Sequence, residues 1–288
     1  MGVAHIPVLL AEVTDNMVRN EEGVYVDATL GGAGHASALL ERYNKLRLVG
    51  LDVDEDNLKF AEEKLAPFKE RVTLVRGNFR DLADIVRSLH IPAADSILFD
   101  LGLSTFQIMG GRGFSFNDDA FLDMRMDNRS PVTAYDVVNG YGYEALKKVI
   151  EELGEEWKAP RIARMIVEER KKKAISTAKE LAAVVQKAKR REGRIHPATK
   201  TFQALRMEVN QELDNIRTGV TGAVSMLVPG GRIGVISFHS LEDRIIKEMF
   251  KTSPDLDVVT KKPIRPLRSE ALENPSARSA KFRIAEKV

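Results

Sequence analysis

The chain has 288 residues, 43% of them hydrophobic and 30% charged, with no cysteine and a net charge of only +2. That length suits one large domain or a main domain with a smaller companion, and no apolar run approaches a membrane span. The lack of cysteine excludes disulfides, thiolate metal ligands and a thiol nucleophile; it fits a reducing, cytoplasmic setting, and Met1 to His5 carry no basic region of a secretory signal.

His5-Ile6-Pro7-Val8-Leu9-Leu10 opens the chain and would cover one end of a sheet or a ligand, with a helix predicted from Glu12 to Arg19. Val24-Tyr25-Val26 is β-branched and aromatic, which favours a strand. It runs into Asp27-Ala28-Thr29-Leu30-Gly31-Gly32-Ala33-Gly34-His35, with a helix predicted from Ala36 to Tyr43. Glycines at such a junction permit a tight turn and close approach of the backbone to a ligand. A second strand, Leu48–Leu51, ends in Asp52, 21 residues after Gly31. That is near the spacing at which a nucleotide-binding βαβ unit places the carboxylate for a ribose hydroxyl. Gly31, Gly32 and Gly34 are more compressed than G-x-G-x-x-G, and Asp27 precedes them, which favours a methyl-donor nucleoside over a dinucleotide. The competing reading is a strand-to-helix turn that binds nothing.

Asn57 to Leu65 reads as a helix, with Leu58, Ala61 and Leu65 on a buried face. Val72–Val75 is the third strand, followed by Asn78 and Phe79, which are placed to meet an adenine. Phe79 equally suits the core. A helix over Leu82–Leu89 leads to a fourth strand, Ser96–Phe99, and then Asp100-Leu101-Gly102-Leu103-Ser104. Ligands of open α/β sheets bind beyond the carboxyl ends of the strands. Asp27, Asp52 and Asp100 would therefore converge on one crevice.

The βα rhythm breaks after Ser104. Helices are predicted at Ala134–Asn139, Tyr143–Leu153, Pro160–Lys173, Thr177–Ala188, Lys200–Ile216 and Val220–Leu227. Residues 106–200 read as a mostly helical insertion between two parts of the main domain, 1–105 and 201–288. Lys171, Lys172, Lys173, Lys187, Lys189, Arg190, Arg191 and Arg194 make the insertion basic, and Lys261, Lys262, Arg265, Arg268, Arg278, Lys281 and Arg283 do the same near the C-terminus. These groups could neutralise phosphates or simply be solvated. Phe114, Phe116 and Tyr141 could stack on a base or pack internally. Arg232–Ser237 resumes the sheet, with His239, Ser240, Glu242 and Asp243 at its carboxyl end; Ser237 to Ser240 lack the context of a nucleophile elbow. Thr260–Ala280 is an ordered substrate loop or a mobile segment, and Lys281–Ala285 is a last strand.

These motifs together resemble the RsmH family, formerly MraW, of bacterial 16S rRNA cytosine-N4 methyltransferases. The resemblance spans nearly the whole chain: His5–Leu10, Asp27–His35, Asp100–Ser104, Arg112–Phe116, Leu122–Asp127, His196–Thr199, Phe202–Arg206, Val235–Arg244, Asn274-Pro275 and Arg278–Ala280. Two departures stand out, Ser104-Thr105 for a Ser-Ser pair and Gln107-Ile108-Met109 for Gln-Leu-Asp.

The resemblance implies an α/β, Rossmann-like fold with an inserted helical domain, residues 106–200, as the RNA-recognition domain, S-adenosyl-L-methionine as cofactor, and N4-methylcytosine in the decoding region of 16S rRNA as product. The donor set it implies is Ala33, Gly34, His35, Asp52, Phe79, Asp100 and Gln107, to which position adds Gly31, Gly32 and Asn78. Asp100, Ser104 and His239 are the catalytic candidates. No metal set is expected. The partner is the small ribosomal subunit or its RNA and not a membrane; the oligomeric state is left open, a homodimer among the options. A noncatalytic RNA-binding module, or a methyltransferase for a small molecule or protein, are the alternatives.

Overall fold

The computed structural model describes residues 7–104, 107–108, 110–117, 119–191 and 196–288. His5, Ile6, Thr105, Met109 and Arg194, named above, lie outside the described residues. The chain divides into two units, Met1–Ser104 with Leu213–Val288, and Thr105–Glu212.

The first unit is built on a sheet of β1 (Val24–Asp27), β2 (Arg47–Asp52), β3 (Val72–Arg76), β4 (Ala94–Asp100), β5 (Leu227–Ser237), β6 (Leu256–Val258) and β7 (Lys281–Lys287). Their order is β3-β2-β1-β4-β5-β7-β6. The first five strands run parallel, and β7 lies antiparallel between β5 and β6. Alternation assigns the apolar side chains to two faces. Val26, Val49, Ile97, Phe99 and Val235 join one core; Tyr25, Leu48, Leu98, Ile236 and Phe282 join the other. Both faces are covered, as a parallel sheet requires. Helices α1 (Leu10–Asn16), α2 (Gly34–Arg42) and α3 (Glu55–Leu65) supply Val13, Leu39, Ala61 and Leu65 to the second core. The first core takes Leu82 and Val86 from α4 (Leu82–Ser88).

Among the described residues the second unit packs helices α5 (Ala134–Gly140), α6 (Tyr143–Glu152), α7 (Ala159–Arg170), α8 (Ala178–Ala188) and α9 (Thr199–Asn210). Leu146, Ile150, Ile162, Ile166, Leu181 and Val185 recur at four-residue spacing and form its separate core. Thr133 with Asp136, and Thr177 with Glu180, close capping boxes on α5 and α8.

The predicted helix Lys200–Ile216 is in fact two. Gln211 adopts φ 50° and ends α9, and α10 (Glu212–Met226) begins at once, absorbing the predicted Val220–Leu227 helix. α10 gives Ile216 and Val220 to the first core, and α11 (Ser240–Thr252) adds Ile246 and Phe250. Thr260–Ala280 holds a short helix, α12 (Arg268–Glu273), and a 3-10 turn at Pro275–Ser279. No described helix is long and apolar enough to cross a membrane.

Candidate functional site

The strand order sets β2, β1 and β4 side by side, so Asp52, Asp27 and Asp100 end three adjacent strands. Their environments differ. Asp27 is 2% exposed, and burial raises its carboxyl from the ordinary 3.8 to about 7, reinforced by the charges of Asp100 and Asp52 against the amide of Thr29. Asp52 is raised by burial to about 6, with the amides of Asp54 and Gly31 and the side chain of Asn57 pulling the other way. The Asp100 side chain is one-fifth exposed (19%), and its own amide donates to Thr29 Oγ1 at 2.6 Å.

The glycine turn is held from several directions. Gly31 (φ 50°) donates its N–H to Asp52 Oδ2 at 2.8 Å, and Lys64 of α3 donates to the Gly32 carbonyl at 3.2 Å. Ala33 is also left-handed, with φ 53°, and stands at the N-cap of α2 without a side-chain cap. The turn therefore enters α2 with backbone N–H groups that no side chain of its own covers, a ready acceptor of anionic groups. A Cβ added at Gly34 would overlap the Pro7 ring, so that glycine is required by the opening segment.

His35 is buried, and burial lowers its imidazole to about 4, against the opposing effect of its bond to Val8. The ring is neutral at pH 7. Nε2 lies 2.9 Å from the Val8 carbonyl, which can only accept, so Nε2 carries the proton. Nδ1 is left as an acceptor, 3.9 Å from Asp100 Oδ2. Two acceptors facing one another across that gap suit a cationic donor between them, such as an ammonium.

Asn57, which the sequence pattern marks only as the start of a helix, is a buried polar residue beneath these strand ends. It is 1% exposed, donates to Asp52 Oδ2 at 3.2 Å and accepts from the Ser104 hydroxyl at 3.1 Å. The signal was available: Asn57 heads the stripe Asn57, Ala61, Leu65, where an apolar residue would be expected. Ser104 is thus tied to the Asp52 carboxylate through one amide. Asn78 accepts from the Arg80 amide at 3.0 Å, and half-buried Phe79 meets Phe99 edge-on at 5.6 Å. Gly219 of α10 admits Phe79: a Cβ there would lie 2.7 Å from its ring.

His239 is the N-cap of α11. Its Nδ1 accepts from the Glu242 amide at 3.4 Å, and Nε2 stands 3.0 Å from Glu242 Oε1, while Glu242 Oε2 accepts from the Phe238 amide at 2.8 Å. Asp243 takes Lys281 and Arg283 at 2.8 and 2.7 Å; burial alone would raise it, yet these two cations hold it below the usual carboxylate range.

In the second unit Gln107 is buried. Phe116 stacks on His196 with centroids 4.1 Å apart and meets Phe202 edge-on, and Tyr141 donates to Glu208 at 2.9 Å, so these aromatics take part in internal packing. Lys172 and Lys187 pair with Glu169, and Lys173 with Glu180.

A family model described as the MraW methylase family matches residues 2–288. The chain belongs to the MraW methylase family. Ribosomal RNA small subunit methyltransferase H of Persephonella marina is 51% identical, over 99% of this chain and all of that protein. The protein of the same name from a Sulfurihydrogenibium species is 49% identical over the same shares. Among solved structures, an rRNA methylase from Streptococcus thermophilus is similar with a TM-score of 0.45 and 11% identity, covering 97% of this chain and 93% of that one. As a member of the MraW family the chain is a Rossmann-like methyltransferase whose methyl donor is S-adenosylmethionine. The strand ends fit such a donor: acceptors for hydroxyl and ammonium groups, and a backbone turn open to a carboxylate.

Proposed function

We propose that this chain transfers a methyl group from S-adenosylmethionine to the N4 amine of one cytidine in the decoding region of 16S rRNA. The observation that carries the reading is the near-complete match to proteins named Ribosomal RNA small subunit methyltransferase H, at 49–51% identity, in a chain whose strand ends present Asp52, Asp27 and Asp100 together. The cytosine amine and its position in the RNA follow from the motif resemblance.

When bound, the donor supplies a methyl group on a positively charged sulfur, open to direct displacement. Gly31, Gly32, Ala33 and Gly34 receive its amino-acid tail, and Asp52 its ribose hydroxyls. Asn78 and Phe79 receive the adenine, and Gln107 joins the set on the resemblance alone. His35 Nδ1 and Asp100 Oδ2 accept from the ammonium of the tail, with Asp100 as its counterion.

The cytosine amine is a weak nucleophile because its lone pair is delocalised into the ring. Asp100 also accepts a hydrogen bond from one of its N–H groups, which favours a localised pair, and alignment of the reacting atoms supplies much of the rate without a covalent intermediate. As the N–CH3 bond forms, the S–CH3 bond would break to leave a neutral thioether, and one amine proton would pass to solvent. Ser104 and His239 act one step back. Ser104 steadies Asn57 beneath Asp52, and His239 caps α11 beyond β5. The target base must leave its stack to be reached, and basic side chains such as Lys171, Lys172 and Lys173 are available to the flanking phosphates.

The test is direct. Purified protein is incubated with labelled donor and small ribosomal subunits, and the RNA is digested to nucleosides. Label in N4-methylcytosine supports the reading. Label in protein or another nucleoside, or no transfer despite RNA binding, would replace it with the corresponding alternative.

A further inference from the structure

Pro7, Val8 and Leu9 form a strap against the glycine turn. Val8 and Leu9 are buried, and the Pro7 ring occupies the space that a Cβ at Gly34 would need. Leu9 adopts φ 55°, a conformation unfavourable for a residue with a Cβ, and it starts α1 with no side-chain cap. Something outside the strap must therefore hold it. That group comes from 261 residues away: Glu270 of α12 accepts the Leu9 N–H on Oε1 at 2.7 Å. A hydrogen bond from a backbone amide to a half-buried carboxylate is among the stronger kinds.

The contact reaches the site through a short chain of bonds. Glu270 fixes the Leu9 amide, and the peptide plane shared with Val8 fixes the Val8 carbonyl. That carbonyl takes the proton-bearing Nε2 of His35, which leaves Nδ1 as an acceptor toward Asp100. If the strap were released, the imidazole could take the other tautomer and turn an N–H toward Asp100. The gap would then offer a donor where the ammonium needs an acceptor.

We propose that Glu270 is a positioning residue for methyl-donor binding: it clasps the Pro7–Leu9 strap onto the glycine turn and so sets which nitrogen of His35 faces Asp100. The inference rests on the placement of the donor beside the glycine turn and not on the identity of the RNA. It gives α12, in a segment that also carries Lys261, Lys262, Arg265 and Arg268, a direct connection to the donor site.

The test uses the full chain, with S-adenosylmethionine binding followed by calorimetry and the His35 tautomer by 15N resonance. The parent shows a protonated Nε2 and an unprotonated Nδ1. Glu270→Ala is expected to mix the tautomers and weaken donor binding by about tenfold or more. The donor KM should rise by a larger factor than kcat falls. Glu270→Gln, whose amide oxygen still accepts from Leu9, should recover most of both readouts. Circular dichroism confirms folding, and the Gln variant carries the test should the Ala variant not fold. Parent-like affinity and tautomer in Glu270→Ala, or a Gln variant no better than Ala, would overturn the proposal. A His35→Ala control separates the two claims. Unchanged affinity there overturns the donor placement; loss there with none in Glu270→Ala overturns the clasp.

Discussion

His35 Nδ1 and Asp100 Oδ2 face each other across 3.9 Å, and Nδ1 carries no proton in the arrangement set by Val8. In the proposed site the ammonium of the methyl donor hydrogen-bonds to both. Asp100→Ala removes the charge and one acceptor while leaving the strand intact, because the Asp100 backbone amide keeps its bond to Thr29. Methyl transfer should fall by about two orders of magnitude or more, with the circular dichroism unchanged. A rate within about twofold of the parent would remove Asp100 from the mechanism.

Asp27 makes stability depend on pH. Its carboxyl ionises at an ordinary 3.8 in the unfolded chain and at about 7 in the folded one. Between those values the folded chain binds more protons, so raising the pH lowers stability across that window and has no further effect through Asp27 above it. Asp52, raised to about 6, acts in the same direction. Asp27→Asn keeps an oxygen for the Thr29 amide and cannot ionise. In urea unfolding of the donor-free protein it should be more stable than the parent at about pH 8, on the order of 4 kcal/mol, and nearly equal at about pH 4. A constant difference across pH would contradict the burial argument.

Gly34 and Pro7 should behave as a coupled pair. Gly34→Ala forces the strap away and should cost about 1–3 kcal/mol of stability, together with donor affinity. Pro7→Ala removes the ring atoms in the way. The double variant should therefore be less damaged than the sum of the single variants, which a double-mutant cycle on thermal unfolding and donor binding measures. Strict additivity would show that Gly34 is needed for some other reason.

Lys172 and Lys173 are exposed and paired with Glu169 and Glu180, and solvent-exposed pairs of this kind are weak. Such pairs open readily to phosphate. Changing Lys171, Lys172 and Lys173 to Glu should weaken binding to small-subunit RNA, most strongly at low salt, and flatten the dependence of affinity on salt. Equal affinity of parent and variant at every salt concentration would take this cluster out of the RNA footprint.

The sequence made the strand ends legible because apolar, β-branched runs terminate in single carboxylates, and the parallel order then sets Asp27, Asp52 and Asp100 together. The break between α9 and α10 was hidden because Gln211, neither glycine nor proline, takes the left-handed conformation that separates the helices. β6 is only three residues long, too short to display an alternation. Within Thr260–Ala280, proline and charge masked α12, and the use of Glu270 depends on a contact 261 residues away, beyond any local pattern. Ser104 and His239 stand out in the sequence only by their positions at strand ends. Their hydrogen bonds to Asn57 and Glu242 join residues brought together by the fold and by the N-cap of α11, which no local pattern displays.

Mapping the methyl group on the RNA decides whether the chain is a cytidine-N4 methyltransferase. Unmethylated small subunits are treated with the parent protein or Asp100→Ala in the presence of S-adenosylmethionine, and RNA fragments are weighed by tandem mass spectrometry. The expected result is one added methyl in a single decoding-region fragment, on the N4 of one cytidine, with the parent and not with the variant. Methylation of that cytidine by Asp100→Ala at the parent's rate, or a methyl at any other position or none at all, would contradict it.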